Sequence, residues 1–179
     1  MSNLVEQIHE DHESIAKVLD LIEQQIDVAR QEETPDLELL EDAVHYMINY
    51  SDLVHHPKED AMFEKLVEKE PGSAEQVKVL LSEHESLATM SGELLDIVKA
   101  AEYGDFVLRE EVIRRGTEYV DAQRSHMDAE EVGPLKLARA VLTDADLAQI
   151  DAAYASQHDP LMTDSLKEEY AALHRSLFD

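Results

Sequence analysis

Cysteine and tryptophan are absent from this 179-residue chain, and glycine and proline occur only five times each. Without cysteine the chain forms no disulfide, no thiolate zinc site and no cysteine-held iron–sulfur cluster, so any metal must be bound by nitrogen and oxygen ligands. No run approaches the roughly 18 apolar residues of a membrane-spanning helix, and the charged start MSNLVEQIHEDHESI lacks the apolar core of a signal peptide. We therefore expect one cytoplasmic protein without a membrane partner.

Positive charge is also scarce. Lysine and arginine number 15 against 41 acidic residues, which gives a formal net charge of −26. Neutralising phosphates requires clustered lysine and arginine, so the charge argues against nucleic acid and anionic membranes as partners. The acidity indicates a heavily solvated surface.

Helical periodicity runs through most of the chain and predicts an all-α fold. The apolar positions define four long segments and two short ones, at about 3–30, 37–68, 73–101, 105–131, 143–155 and 165–178. Pro57 is expected to kink or restart the second helix, and Gly133-Pro134 to end the fourth. Short links predict an antiparallel up-down four-helix bundle with two short C-terminal helices. We expect the bundle to occupy residues 1–135, and residues 136–179 to form an extension packed on the same domain.

An internal repeat places histidine and glutamate at matching positions in the two halves of the chain. The segment DHESIA around His12 resembles EHESLA around His84. Each of these histidines is followed, at nearly the same distance, by a second histidine with a glutamate four residues further on. These later pairs are His55 with Glu59 and His126 with Glu130.

The spacing within each pair has a physical reason, because residues i and i+4 lie on the same face of an α-helix. The first and second predicted helices form one helical hairpin, and the third and fourth form the other. If the two hairpins pack with approximate two-fold symmetry, six side chains converge in the core: His12, His55, Glu59, His84, His126 and Glu130. Six ligands suit two metal ions, since a carboxylate bridges ions about 3.5–4 Å apart and leaves room for an oxide or hydroxide bridge. Imidazole and carboxylate ligands with an open position favour iron, with manganese and zinc as alternatives. O₂, peroxide or nitric oxide would use that open position.

A purely structural interpretation competes with this one. A single histidine on an apolar helix face is more often a packed core residue, and one His-x-x-x-Glu pair is also typical of a surface helix contact. Two copies in register favour metal binding, because four imidazoles and two carboxylates buried without metal would leave costly unpaired groups.

On these segments the chain resembles the hemerythrin-like family, also called the HHE cation-binding domain, over approximately residues 1–135. IHEDHESI, HHPKED and HMDAEE are similar to the family's ligand segments. The resemblance implies that the six residues bind two iron ions, with both glutamates bridging. The oxygen carriers of the family have a fifth histidine where Ala88 stands here and an aspartate where Glu131 stands. The chain is instead similar to the four-histidine, two-glutamate branch, which includes proteins linked to iron–sulfur repair and nitric oxide stress.

The remaining candidates have plainer interpretations. His9 is expected at the helix surface or behind the ligands, with a place among the ligands as the alternative. His56 lies about 100° around the helix from His55 and is expected in packing or solvent. Tyr119 is interpreted as a core aromatic, with a hydrogen bond to a bridging ligand as the alternative. Glu131 is the alternative to Glu130 as second bridge, and repeat symmetry favours Glu130. Three histidines match no repeat and are expected at the surface: His45, His158 and His174.

Four functional hypotheses follow. The first is a di-iron protein that binds, senses or scavenges O₂, reactive oxygen or nitric oxide species. The second is an iron–sulfur repair or iron-donor protein, although the cysteine-bearing segment common in such proteins is absent. The third, a ferritin-like di-iron oxidase, needs Glu-x-x-His in two helices, and only Glu6-x-x-His9 fits. The fourth is a non-catalytic module in which metal stabilises the bundle and the C-terminal helices recruit a partner.

Overall fold

The computed structural model describes residues 4–104, 107–155, 157, 159–161 and 170–178. Its elements, in chain order, are α1 (Leu4–Arg30), α2 (Leu37–Tyr46), a π-helix (Met47–His55), α3 (His56–Lys69), a 3₁₀ turn (Pro71–Ser73), α4 (Ala74–Glu102), α5 (Arg109–Val132), α6 (Pro134–Val141), α7 (Asp144–Tyr154) and α8 (Ala171–Phe178). The predicted starts at Asp105 and Ser165, and His158, lie outside the described residues. The predicted all-α class is confirmed.

Four long helical units form the predicted bundle: α1, the continuous run from α2 through α3, α4, and α5. Helix α5 packs against α1 and α4, and the run from α2 to α3 packs against the same two helices. Asp36 caps α2 by accepting the Leu39 N–H at 3.0 Å, and Gly104, with φ of 85°, closes α4 in the left-handed conformation that favours glycine. None of the described helices is long and apolar enough to cross a membrane.

The second long unit is not α-helical throughout. Its middle nine residues form the π-helix, and the N–H of His56 donates to the carbonyl of Ser51, five residues earlier. Pro57 follows at the start of α3, and because proline has no N–H, the α-helical hydrogen-bond ladder restarts there. The sequence predicted a kink or restart at Pro57, and the structure shows a restart. The π-helix ends at the proposed ligand His55.

Among the described residues, three short helices follow the bundle, one more than the sequence predicted. The additional helix is α6, which begins at Pro134, because proline fits the first turn of a helix where its missing N–H costs nothing. Thr143 caps α7 as predicted: its hydroxyl accepts the Asp146 N–H at 3.3 Å while the Asp146 carboxylate accepts the Thr143 N–H at 3.0 Å. The division of the chain at residue 135 stays a prediction.

Hydrogen bonds attach the C-terminal extension to the two ends of the π-helix. The Tyr154 hydroxyl donates to the Pro57 carbonyl at 2.8 Å. The Tyr46 hydroxyl donates to the Asp159 carboxylate at 3.1 Å, and both groups are buried. The extension therefore supports the irregular segment that holds one side of the candidate metal centre.

The apolar core consists of two clusters with a polar layer between them. Ile8 belongs to the cluster formed by the start of α1, α3, α4, α6 and α7, whereas Ile15 belongs to the cluster around α2 and the other half of α1. His12 lies between these two residues on the same helix. Each fully buried aliphatic side chain contributes roughly 1.5–3 kcal/mol, so the two clusters can stabilise the bundle around a costly polar centre.

Gly116 allows α5 to approach α1 closely, because a Cβ at this position would lie 2.5 Å from Ile26 Cδ1. We expect Gly116→Ala to lower the free energy of unfolding by about 1–3 kcal/mol through overpacking, measured by urea denaturation. Gly92→Ala is the matched control in a helix interior, since no described atom lies within 4 Å of the added Cβ. The free energy of unfolding of this control should rise by about 0.5–1 kcal/mol. Equal stability of the two variants would contradict the close approach.

Candidate metal centre

The six side chains selected from the sequence meet in the middle of the bundle. They come from four long helical units: His12 on α1, His55 at the end of the π-helix, Glu59 on α3, His84 on α4, and His126 and Glu130 on α5. None of the six is more than 6% exposed. The structure therefore brings together every residue that the repeat singled out.

Glu59 lies between imidazoles of both hairpins. Its Oε1 is 3.2 Å from His12 Nε2, and its Oε2 is 3.3 Å from His55 Nε2. The same Oε2 is 3.6 Å from His84 Nε2 in the second hairpin. The carboxylate thus faces two groups of nitrogen atoms at once.

Glu130 has the corresponding position from the other hairpin. Its Oε1 is 3.2 Å from His126 Nε2 and 3.3 Å from His84 Nε2. Its Oε2 is 3.4 Å from His12 Nε2. The two glutamates therefore connect the imidazoles of α1 and the π-helix with those of α4 and α5.

Several of these buried atoms have no hydrogen-bond partner among the described residues: His12 Nε2, both oxygens of Glu59, His126 Nε2 and Glu130 Oε2. Burying polar atoms without a partner costs several kcal/mol in total, so the arrangement needs a compensating interaction. Ligand atoms about 2.1 Å from one metal ion lie about 3 Å apart, close to the spacings observed here. The donor set fits bound cations.

Two overlapping groups of ligand atoms, each group within 4.8 Å, divide the centre. The first contains His12, His55 and Glu59, and the second contains His56, Glu59, His84 and His126. Glu59 belongs to both groups. Both groups lie within the part of the chain that the structure describes.

The outward-facing nitrogen of each predicted ligand histidine has a carboxylate partner. Within the hairpins, Asp11 lies 3.3 Å from His55 Nδ1, and Glu83 lies 2.8 Å from His126 Nδ1. A metal-bound histidine commonly donates its second N–H to a carboxylate, which fixes the ring and its tautomer. The outer partners therefore leave Nε2 of each ring directed at the centre.

Between the hairpins the same pattern recurs. Asp60 lies 2.6 Å from His84 Nδ1, and Glu131 lies 2.9 Å from His12 Nδ1. These outer carboxylates were not predicted as a set, although the repeat contained the signal. An acidic residue precedes both His12 and His84, and another follows each predicted bridging glutamate.

Comparison with known proteins agrees with this geometry. Residues 3–135 match the family described as the Hemerythrin HHE cation binding domain. The chain belongs to this family. A hemerythrin-type domain binds a metal cation, typically iron, and the buried histidine–glutamate cluster supplies ligands for one. No curated protein matches the chain.

In this hemerythrin-type domain Glu130 and Glu131 have different positions. Glu130 is fully buried, whereas the side chain of Glu131 is 35% exposed and contacts His12 from outside. Glu131 also accepts from His9, whose half-exposed ring lies 2.9 Å away at the helix surface. The role of Glu130 as the second bridge stays a prediction, and the geometry favours it.

His56 is not at the surface, because it is only 4% exposed. Its ring stacks on His84, with centroids 4.2 Å apart and planes 8° from parallel. The position of His56, about 100° around the helix from His55, did not predict its burial, because the direction toward the bundle centre lies between the two side chains. His55 faces α1, and His56 faces α4.

The other candidates have ordinary surroundings. Tyr119 is fully buried, and its hydroxyl accepts from Gln123 at 3.2 Å, which fits a core aromatic. His45 is partly exposed and lies 3.4 Å from Glu41 on the same helix. His174 lies against the Phe178 ring near the C-terminus, away from the cluster.

The centre is electrostatically coupled. Burial alone would lower the pKa of His84, but hydrogen bonds with Asp60 and Glu130 outweigh burial and raise it to about 10. His12 likewise has a pKa well above its usual range, because three carboxylates overcome the effect of burial. Burial would raise the pKa of Glu130, but the surrounding histidines hold it well below its usual range. Without metal, protons therefore occupy the site.

We expect metal binding at pH 7 to release at least one proton per chain. The raised pKa of His84 keeps its imidazole protonated in the metal-free protein, and only neutral imidazole binds a metal ion. Metal affinity should therefore weaken as the pH falls, and proton release should diminish as the pH approaches 10. Calorimetric titration in buffers of different ionisation enthalpy counts the protons. Binding at pH 7 without proton release would contradict this electrostatic picture.

Proposed function

We propose that this chain is a non-haem di-iron protein that binds, senses or scavenges O₂, reactive oxygen or nitric oxide species. One observation carries the proposal: both Glu59 and Glu130 place carboxylate oxygens within 3.6 Å of imidazole nitrogens from both hairpins. A carboxylate in this position bridges two ions about 3.5–4 Å apart. Six protein ligands also exceed the four of a closed zinc site.

The ligand chemistry supports iron. Imidazole and carboxylate ligands with an open position suit iron, and manganese and zinc are the alternatives. The net charge of −26 raises the local concentration of cations near the protein. When bound, an iron pair supplies reversible redox chemistry and an open coordination position. The protein's own carboxylates accept the outer N–H of each imidazole and so would orient the rings.

A cavity of about 760 Å³ lies beside the candidate centre. Asp11, Tyr50 and Lys58 are among the residues that line it, together with part of the C-terminal extension. The Asp11 carboxylate accepts from Lys58 at 3.2 Å and lies 3.3 Å from His55 Nδ1. The cavity therefore reaches a side chain in direct contact with a proposed ligand.

The same geometry disfavours the ferritin-like oxidase. Glu6 and His9 would have to face the core, yet their side chains are 51% and 47% exposed. Glu6 accepts from Arg139, and His9 contacts Glu131 outside the centre. The iron–sulfur repair hypothesis has no cysteine in the sequence to support it.

Metal analysis and optical spectroscopy of aerobically purified protein test the proposal. We expect two irons per chain, with near-ultraviolet absorption that dithionite bleaches and that O₂ or nitric oxide changes afterwards. Zinc, or no transition metal, would contradict the di-iron proposal. Bound iron whose absorption spectrum does not change with dithionite, O₂ or nitric oxide would instead support the non-catalytic module, in which metal only stabilises the bundle.

A further inference from the structure

We propose that His56 is a fifth histidine ligand, so that the two halves of the centre are unequal. This inference rests on the proposed di-iron function. One ring nitrogen of His56 lies within 4.8 Å of ligand atoms of Glu59, His84 and His126. The residue is 4% exposed and comes from the junction between the π-helix and α3.

The surroundings of His56 leave one nitrogen without a hydrogen bond. Its Nδ1 has no hydrogen-bond partner among the described residues, and Asp52 Oδ1, which also lacks one, lies 3.5 Å away. Its Nε2 lies 3.3 Å from the Ser51 hydroxyl. Buried polar atoms that serve packing alone are almost always hydrogen-bonded, so the orphan nitrogen needs a reason. A short movement of the ring toward a bound ion would supply one.

His56 also breaks the two-fold repeat that the rest of the centre obeys. The four predicted histidines, the two glutamates and the four outer carboxylates all have counterparts in the other hairpin. At the position that corresponds to His56, directly after His126, stands Met127. Ala88, four residues after His84, is exposed and has no imidazole.

The consequence is an uneven division of imidazoles. Three histidines, His56, His84 and His126, surround one position, whereas His12 and His55 alone surround the other. Glu59 belongs to both groups of ligand atoms, and Glu130 lies within 3.4 Å of imidazole nitrogens of His12, His84 and His126. Two iron ions in this centre would therefore have different ligand sets, and the ion beside His12 and His55 would have fewer protein ligands.

Mössbauer spectroscopy of ⁵⁷Fe-loaded diferric protein tests this inference. The wild-type chain should give two quadrupole doublets of equal area. In His56→Phe, which keeps a ring to stack on His84 but cannot bind metal, the doublets should converge, and the iron affinity of the position beside His84 and His126 should fall at least about 10-fold. His56→Gln, which is smaller and keeps a hydrogen-bonding group for Ser51, should give the same result, so a folding defect of the phenylalanine variant does not decide the outcome.

Met127→Leu and His45→Leu are the controls, and both should retain the wild-type doublets and iron content. Unchanged doublets and affinity in both His56 variants would overturn this inference while leaving the di-iron proposal intact. A wild-type chain that binds no iron would overturn the di-iron proposal and this inference with it.

Discussion

Glu130→Ala is expected to weaken the binding of both metal ions by more than about 100-fold. Its carboxylate lies against imidazoles of both hairpins, so its removal takes one ligand from each ion. Losing an outer partner of a ligand typically costs 10–100-fold in affinity, and a shared ligand should cost more. Metal titration monitored by calorimetry and by iron analysis after gel filtration measures the effect.

Comparison of Glu131→Ala with Glu130→Ala distinguishes a carboxylate shared by both ions from one that only lies near them. Glu131 only supports His12 from outside, so its removal should cost about 10–100-fold or less. Asp128→Ala is the matched control, since it removes the same charge from an exposed position on the same helix, and it should bind iron as the wild type does. If Glu131→Ala lost metal completely and Glu130→Ala did not, the assignment of the second bridge would be wrong.

Removing the metal is expected to lower the melting temperature of the wild-type chain by roughly 5–10 °C. A ligand at about 100 times its dissociation constant stabilises the folded state by about 2.7 kcal/mol, and about 1 kcal/mol shifts the melting temperature of a protein of this size by about 2–4 °C. The measurement is the difference between iron-loaded and chelator-treated protein. His55→Ala and Glu59→Ala should lose both the iron and this difference, because each removes a buried ligand.

His174→Ala is the control for this experiment. Its ring lies against Phe178 near the C-terminus, so iron content and the metal-dependent shift should both stay at wild-type values. An equal loss of the shift in His55→Ala and His174→Ala would show that metal binding does not depend specifically on the histidines of the candidate metal centre.

The fold was predictable because helix periodicity and breakers are local signals. The second long unit, Leu37–Lys69, shows what such local signals do not predict. The apolar stripe and Pro57 predicted one long helix with an interruption, but the π-helix before the proline depends on which carbonyl the His56 N–H reaches. Gly133-Pro134 ends α5 as predicted, but Pro134 also begins α6, which was not predicted, because proline is compatible with both roles.

The candidate site was predictable to the extent that the repeat encodes it. Because i and i+4 positions share a helix face, His55 with Glu59 and His126 with Glu130 could be placed in the core from spacing alone. The outer carboxylates obey the same repeat and could have been found with it. His56 could not, because it has no counterpart, and its burial depends on how the junction of the π-helix and α3 packs against α4.

Anomalous diffraction at the iron edge from crystals of the iron-loaded protein would locate the metal ions directly. We expect two peaks about 3.5–4 Å apart, both within coordination distance of Glu59 and Glu130. A single peak, or peaks that lie away from these two carboxylates, would contradict the di-iron proposal.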